Sequence, residues 1–208
     1  AVGVLERTGL WPRAFNQDPE PRSAIRDAFQ ENLRRLQARP PDEHSQFLWD
    51  SCMKEVGKQK CLPPLQARDM RGIYRQGFAA IPCFAHIQAS GKMRRIDNGK
   101  AAWTNKATQY TEKFSLPNAF APALARAELM AAALRLGASP EKLSALGALR
   151  SCSEDMPDAF RTMLVLPADL PYNVVMTPHP ETQEVWYFPM LAALFGNGSS
   201  VYAYARLS

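Results

Sequence analysis

The spacing of apolar residues changes near Phe78, and this change constrains the fold more than any other feature of the sequence. Before it, apolar residues recur every three or four positions, which is typical of amphipathic helices. After it, short runs of apolar and β-branched residues flank turn-forming residues, which is typical of antiparallel hairpins. Helices followed by paired strands and one further helix predict an α+β fold.

Three helices are predicted before the change. The first must end before Pro40, because a residue that precedes a proline is disfavoured in a helix. The second ends near Gly57 and the third before Gly77, since glycine is typical of a helix stop. Their apolar positions are Ile25, Phe29, Leu33 and Leu36, then Phe47, Leu48, Cys52 and Val56, then Leu65, Met70, Ile73 and Tyr74. Residues 1–77 are therefore predicted to form an N-terminal helical region.

Two hairpins and a central helix are predicted in residues 78–208. The first hairpin covers 81–97 around the turn 89–92, and the second covers 174–188 around a loop that holds two prolines. The alanine- and leucine-rich stretch 121–136 is predicted to be a helix with one buried face.

Composition excludes several classes of protein. The 208 residues are 46% hydrophobic and 22% charged, with 11 glycines and 17 prolines, which is typical of one or two domains with a core rather than of a fibrous or disordered chain. A membrane-spanning helix needs about 18 apolar residues in succession. The most apolar stretch, 121–136, is interrupted by Arg126, Glu128 and Arg135. A transmembrane subunit is therefore not expected.

The four cysteines lie far apart and do not resemble a disulfide framework, which favours a reducing, intracellular compartment. No C-x-x-C or H-x-x-x-H spacing is present to place two zinc ligands on one turn, so isolated buried thiols are the expected interpretation. The first residue is Ala rather than Met, and no targeting segment follows it. A processed start is expected, which leaves an organelle address open.

Positive charge is concentrated in residues 54–113. This segment holds twelve Lys and Arg against four Asp and Glu, a net charge of +8, whereas the rest of the chain has a net charge of −3. Such a concentration attracts polyanions, namely nucleic acid, nucleotide phosphates or an acidic protein. A solvated face that maintains solubility explains the same charges, and the sequence leaves both interpretations open.

Two carboxylates three residues apart, Asp155 and Asp158, are ambiguous by themselves, because such a pair commonly complements the dipole at a helix N-terminus. Two other segments make the pair more informative. They are Gly-Lys-Met-Arg-Arg-Ile-Asp at 91–97 and Leu-Phe-Gly-Asn-Gly-Ser-Ser-Val-Tyr-Ala-Tyr-Ala-Arg at 194–206. Together, residues 78–208 resemble the reverse transcriptases of retroelements. In that family a basic fingers hairpin, G-K-W-R-x-x-x-D, precedes D-x-x-D-A-[YF], a palm hairpin and L-P-F-G-L-x-S-A-x-x-x-F-x-R.

The resemblance implies a metal-binding carboxylate and a phosphate-binding cation. Asp155 matches the family's first metal-binding carboxylate, since two-metal nucleotidyl transfer needs anionic oxygens to hold divalent ions against the triphosphate. Arg94, with Lys92 beside it, matches the fingers cation that contacts the phosphates of the incoming nucleotide. Mg²⁺ is implied only if the chain is active, and otherwise no cofactor is expected.

The other implied residues surround the nucleotide. Asp158 and Ala159 would lie by the triphosphate, and Phe160 matches the aromatic position that screens the 2′ position of the sugar. Gly196 falls where the family's glycine lets the backbone approach nucleotide and template. The fold that the resemblance implies is a truncated fingers/palm-like region. The missing strands of its sheet would leave an edge with unpaired backbone groups, so we expect that edge to be covered by the N-terminal helices or by another chain.

The chain also departs from the family's pattern. Residues 150–154 replace an apolar strand, and Leu194 stands in place of the proline of L-P-F-G. No aspartate follows Asp169, so the Y-x-D-D motif that supplies the second carboxylate pair is not among these residues. One carboxylate cluster cannot hold both ions in the two-metal geometry. The sequence therefore predicts catalytic incompleteness.

Three functions are consistent with these features. The favoured one is a non-enzymatic structural or accessory subunit of a larger assembly, with protein subunits as partners and weak nucleic-acid binding through residues 54–113. The second is a fragment of an active RNA-directed DNA polymerase whose remainder lies on other sequence. The third is a helical adaptor whose resemblance to the family is accidental.

Overall fold

A computed structural model describes residues 21–38, 42–108, 121–145 and 158–205. Its helices are α1 (Arg22–Ala38), α2 (Ser45–Gly57), α3 (Ala67–Ile73), α4 (Thr104–Ala107), α5 (Ala121–Arg135), α6 (Pro140–Ala145) and α7 (Gly198–Ala205). Its strands are β1 (Ala80–Ile87), β2 (Met93–Asp97), β3 (Val174–Pro178) and β4 (Val185–Pro189), and the 3-10 helices are η1 (Ala159–Thr162) and η2 (Leu170–Tyr172). The predicted α+β class is confirmed.

The four strands form one mixed sheet in the order β2-β1-β3-β4. β1 and β2 make the first predicted hairpin, and β3 and β4 make the second. The two hairpins are joined by a parallel pairing, in which Ala80, Ile81 and Pro82 lie beside Val174, Val175 and Met176. Only the first three residues of β1 take part, so the rest of the β1–β2 hairpin extends beyond β3.

Each face of the sheet carries an apolar core, because successive strand residues point to opposite faces. On one face, α1 and α3 contribute Ile25, Phe29 and Met70, which join Ala80, Val174, Met176 and Tyr187. On the other, α2 contributes Leu48 and Cys52, which join Ile81, Val175 and Phe188. Each large apolar side chain buried in this way contributes about 1.5–3 kcal/mol relative to exposure. The three predicted N-terminal helices are present and hold the sheet between them. The third is shorter than predicted, since α3 begins at Ala67 and ends at Ile73, so Leu65 and Tyr74 lie outside it.

The outer edge of β4 is covered by the segment that links α2 to α3. Cys61 bridges to Met190 and Leu65 bridges to Tyr187, and the amide of Leu62 donates to the carbonyl of Pro189 at 2.9 Å. The expected cover thus comes from the N-terminal region, but from an extended connection rather than from a helix. Backbone pairing of this kind satisfies the edge groups, which helix side chains could not all reach.

Helix α5 forms where the sequence predicts it, but its predicted buried face is wrong. Leu124, Leu129 and Leu134 are 63%, 62% and 47% exposed. These leucines recur at steps of five, so they are spread around the helix rather than aligned on one side. The composition of this stretch correctly indicated a helix. One buried face also requires apolar residues every three or four positions, and the leucines of α5 lack that spacing.

The chain divides into two compact units, one formed by Ala1–Lys113 and Asp158–Ser208 and the other by Phe114–Pro157. The sheet and α1–α4 belong to the first unit, and α5 and α6 belong to the second. The sequence-based division at residue 77 stays a prediction. Among the described residues, no helix is both long and apolar enough to cross a membrane.

Candidate functional site

A buried ion-pair cluster lies at the end of β2. Asp97 is 1% exposed, and its two carboxylate oxygens accept hydrogen bonds from Arg95 Nε and Arg161 Nη2, each at 3.0 Å. Arg161 Nε also lies 3.7 Å from Oε1 of Glu55 on α2. The cluster thus pairs two guanidinium groups with two carboxylates, which balances the charge inside the protein.

Strand periodicity explains how this cluster assembles. Arg95 and Asp97 are two residues apart on β2, so their side chains share the face that packs against α2. Burial by itself lowers the pKa of Arg95, but the neighbouring Asp97 carboxylate and the nearby thiols raise it above its ordinary value. The guanidinium therefore stays charged, and the Asp97 carboxylate is the partner it requires.

The segment that contains Gly196 docks on the same place. A Cβ added at Gly196 would overlap the carbonyl oxygen of Asp97, so only glycine allows this backbone approach. Asn105 Nδ2 donates to the carbonyl of Gly196 at 3.2 Å, and Asn105 Oδ1 accepts from the amide of Gly198 at 2.8 Å. The amide side chain of Asn105 thus holds both sides of this turn.

Two of the segments that carry the family resemblance, and the residue that directly follows the other, therefore meet at Asp97. Asp97 ends the basic hairpin motif, Arg161 follows the D-x-x-D-A-F motif directly, and Gly196 belongs to the last motif. Arg161 also donates from Nη1 to the carbonyl of Ala193 at 3.1 Å, which links the second segment to the third.

Asp158 forms an ion pair with Lys58 at the end of α2. Lys58 Nζ lies 2.5 Å from Asp158 Oδ2. The hydrogen bond from Lys58 lowers the pKa of Asp158, and the same bond raises the pKa of Lys58. Asp158 has a positive φ of 54°, and its carbonyl accepts from the amide of Arg161 at 2.7 Å, which starts η1. The carboxylate is thus engaged by a lysine of the same chain.

The other implied residues of this motif are described only in part. Asp155 lies outside the described residues. Ala159 and Phe160 are in η1, and the side chain of Phe160 is likewise outside the described part of the chain. The roles that the resemblance implies for these three residues stay predictions.

Lys92 and Arg94 are exposed on the β1–β2 hairpin. Arg94 Nε donates to Gln88 Oε1 at 2.9 Å, and Arg94 lies opposite His86, on the sheet face away from Arg95. Within the described ranges, neither cation makes a hydrogen bond or an ion pair with Asp158 or Gly196. The structure therefore brings Gly196 to the buried cluster, and places Asp158 beside it through the backbone of Arg161. It leaves the two fingers cations on a separate surface.

The basic segment 54–113 does not form one uniform face. Its cations on α2 and on α3 belong to helices that pack on opposite faces of the sheet. Arg95 is buried with Asp97, and Lys58 is paired with Asp158. Exposed cations lie near an exposed aromatic ring on the hairpin, where Phe84 is 42% exposed, and at the start of α4, where Lys106 Nζ lies 4.1 Å from the centroid of the Trp103 ring.

Sequence analysis missed the residues that hold the site together, namely Glu55, Lys58, Asn105 and Arg161. Only Arg161 left a signal, because it is the single charged residue in the otherwise largely apolar run 159–166, and a charge in such a run is commonly paired. In the described part of the chain no group of three or more His, Cys, Asp or Glu is placed to hold a metal ion.

The chain matches no protein-family model, no curated protein and no solved structure.

Proposed function

We propose that this chain is a reverse-transcriptase-like, catalytically incomplete protein that acts as a structural or accessory subunit of a larger assembly. One observation supports the proposal above the others: the first and last segments that resemble the family, and Arg161 directly after the second, are in contact around Asp97 although they are far apart in the sequence.

This contact favours a common origin over an accidental resemblance. Short motifs that match by chance have no reason to interact in the folded chain. Here the side chain of Arg161 reaches Asp97 across 64 positions of sequence, and the backbone at Gly196 touches the same residue. A helical adaptor with an accidental resemblance would not need this arrangement.

The chemistry of the described carboxylates favours an accessory role over polymerisation. Asp158 is neutralised by Lys58, and Asp97 is neutralised by two guanidinium groups. A two-metal centre needs carboxylates that are free to bind metal ions. The 208 residues of this sequence also contain no Y-x-D-D motif. The alternative is that the chain is a fragment of an active RNA-directed DNA polymerase, and primer extension distinguishes the two.

Primer extension tests catalysis directly. The 208-residue protein, a primed RNA template and the four deoxynucleotides are incubated with Mg²⁺ and then with Mn²⁺. We expect no more product than without protein, because the second carboxylate pair is missing. Extension that disappears in Asp155→Ala, with circular dichroism unchanged, would show an active polymerase and contradict the proposal.

Sedimentation tests the accessory role. A tagged chain in its own cells should sediment with a larger complex, before and after nuclease treatment of the extract. Sedimentation as a single chain in both samples would contradict a subunit role. A shift to a single chain after nuclease alone would contradict protein partners and identify a nucleic-acid tether.

A further inference from the structure

Residues 163–166, Met-Leu-Val-Leu, form an extended edge segment beside the chain that follows β4. Leu164 makes an antiparallel bridge to Ala192. Two backbone hydrogen bonds of 2.9 Å flank this bridge, one from the amide of Ala193 to the carbonyl of Met163 and one from the amide of Val165 to the carbonyl of Leu191. One side of the edge segment is therefore paired, and the proposed function does not use its other side.

The outer side of the edge segment carries unpaired backbone groups. Because Met163 and Val165 make both flanking bonds, Leu164 and Ala192 are a non-hydrogen-bonded pair, and the N–H and C=O of Leu164 point away from Ala192. Within the described part of the chain, these two groups of Leu164 have no hydrogen-bond partner. An edge of this kind is a template for another extended chain, whose backbone can satisfy both groups at once.

The side chains of the edge segment are apolar and exposed. Leu164 and Leu166 are 82% and 69% exposed, and because they are two residues apart they lie on the same face. No charged residue lies between Thr162 and Ala168. Native edges are commonly protected by lysine, proline or an inward-pointing charge, and residues 163–166 include none of these. The edge therefore fits an extended, uncharged strand with apolar residues at alternate positions.

We propose that the edge segment pairs with the same segment of a second copy of the chain, antiparallel about a two-fold axis at Leu164. The segment itself has the extended backbone, the alternate leucines and the lack of charge that its edge requires. In this register the two Leu164 residues exchange both of their outward backbone bonds, and their side chains face each other. The paired segments bring no like charges together, and a two-fold contact closes at two copies. This pairing does not depend on the accessory role proposed above.

Sedimentation velocity of the 208-residue protein tests the pairing. Two short segments bury less than the about 1,200 Å² of a stable interface, so we expect a weak dimer that forms between about 1 μM and 1 mM protein. Leu164→Lys should raise the dissociation constant at least about tenfold, because the two-fold axis places the two lysines opposite each other. The matched control is Leu136→Lys, which adds the same charge at a leucine that is 88% exposed, and it should leave the dissociation constant unchanged.

Leu164→Pro tests the backbone contribution separately. This change removes the outward N–H but no hydrogen bond within the described part of the chain, and proline is tolerated on an edge where its N–H would face solvent. The variant should therefore keep the circular dichroism of the wild type and lose the dimer.

Hydrogen exchange followed by NMR locates the contact. The amide of Leu164 should exchange more slowly as the protein concentration rises, whereas the amide of Val165, already bonded to Leu191, should not change. A protein that stays monomeric up to about 1 mM would overturn the proposal. A dimer that Leu164→Lys leaves intact would overturn it too. Protection of the Leu164 amide at every concentration would also contradict it, and would show that another segment of the same chain covers the edge.

Discussion

Asp97 holds two guanidinium groups in a region that water does not reach, and it also receives the backbone at Gly196. Buried ion pairs contribute little net stability compared with an apolar replacement, but removal of one partner typically costs 3–5 kcal/mol because it leaves a buried charge unpaired. The cluster is therefore better regarded as a device that fixes the relative positions of β2, η1 and the segment before α7.

The close approach at Gly196 gives the first prediction. Gly196→Ala should lower the free energy of unfolding by about 2 kcal/mol, because the added methyl group forces the backbone away from Asp97. Gly72→Ala on α3 is the matched control, since no atom lies within 4 Å of the added group, and a helical Gly-to-Ala change stabilises by about 0.4–1 kcal/mol. Urea denaturation measures both, and equal effects of the two changes would contradict the packing argument.

Sequence identified Gly196 as a position that needs glycine, but it could not identify the group that approaches it. The resemblance implies nucleotide and template, which stays a prediction, and the structure shows the Asp97 carbonyl against this glycine. Arg161 was missed for a related reason, because its partner is 64 positions away and nothing local specifies it. Local motifs indicate which residues are unusual, and only the fold shows what they contact.

At the scale of elements, local chemistry predicted most of what formed. Proline and glycine placed the helix ends, and the turn 89–92 placed the first hairpin. The parallel pairing of β1 with β3 could not be predicted, since the paired residues lie 94 positions apart and no turn specifies their register. The buried face predicted for α5 was wrong for a local reason. The composition of this stretch is typical of a helix, but its leucines are not spaced along one side of it.

The ion pair between Lys58 and Asp158 links α2 to η1 and gives the second prediction. Both side chains are about half exposed, so Lys58→Met should cost at most about 1 kcal/mol at pH 7. The pKa of Asp158 lies below its ordinary value of 3.8, so this stabilisation is present above that pH and is lost as the pH falls further. The pKa of Lys58 lies above its ordinary value of 10.5, so the stabilisation is also lost at high pH, above that value.

Urea denaturation at several pH values checks this prediction. The difference in unfolding free energy between wild type and Lys58→Met should be constant between about pH 5 and 9 and should shrink below about pH 4. The control for the lost charge is Lys54→Met, which removes an exposed cation from the same helix. An identical pH dependence in the two variants would show that the pair contributes nothing specific.

At the scale of the whole molecule, the positive charge of residues 54–113 is divided by the fold. α2 and α3 carry their cations on opposite sides of the sheet, and the charge of Arg95 is neutralised inside. The hairpin combines two exposed cations, Lys92 and Arg94, with the exposed ring of Phe84. If the chain binds nucleic acid, this surface offers phosphate contacts and a base-stacking partner together.

The last prediction therefore concerns the hairpin. A fluorescent single-stranded oligonucleotide should bind weakly at about 50 mM salt, and the affinity should fall steeply as salt rises, because phosphate contacts release counterions. Lys92→Ala with Arg94→Ala should weaken binding and make the salt slope shallower by about 1–2.

Arg95 is unsuitable for this test, since its removal leaves the buried Asp97 without one of its partners. The matched control is Arg34→Ala with Arg35→Ala, which removes two cations that are 76% and 72% exposed on α1. Equal losses of affinity in the two double variants would indicate that net charge alone attracts the oligonucleotide. No binding at low salt would contradict the prediction and favour a protein partner for the hairpin.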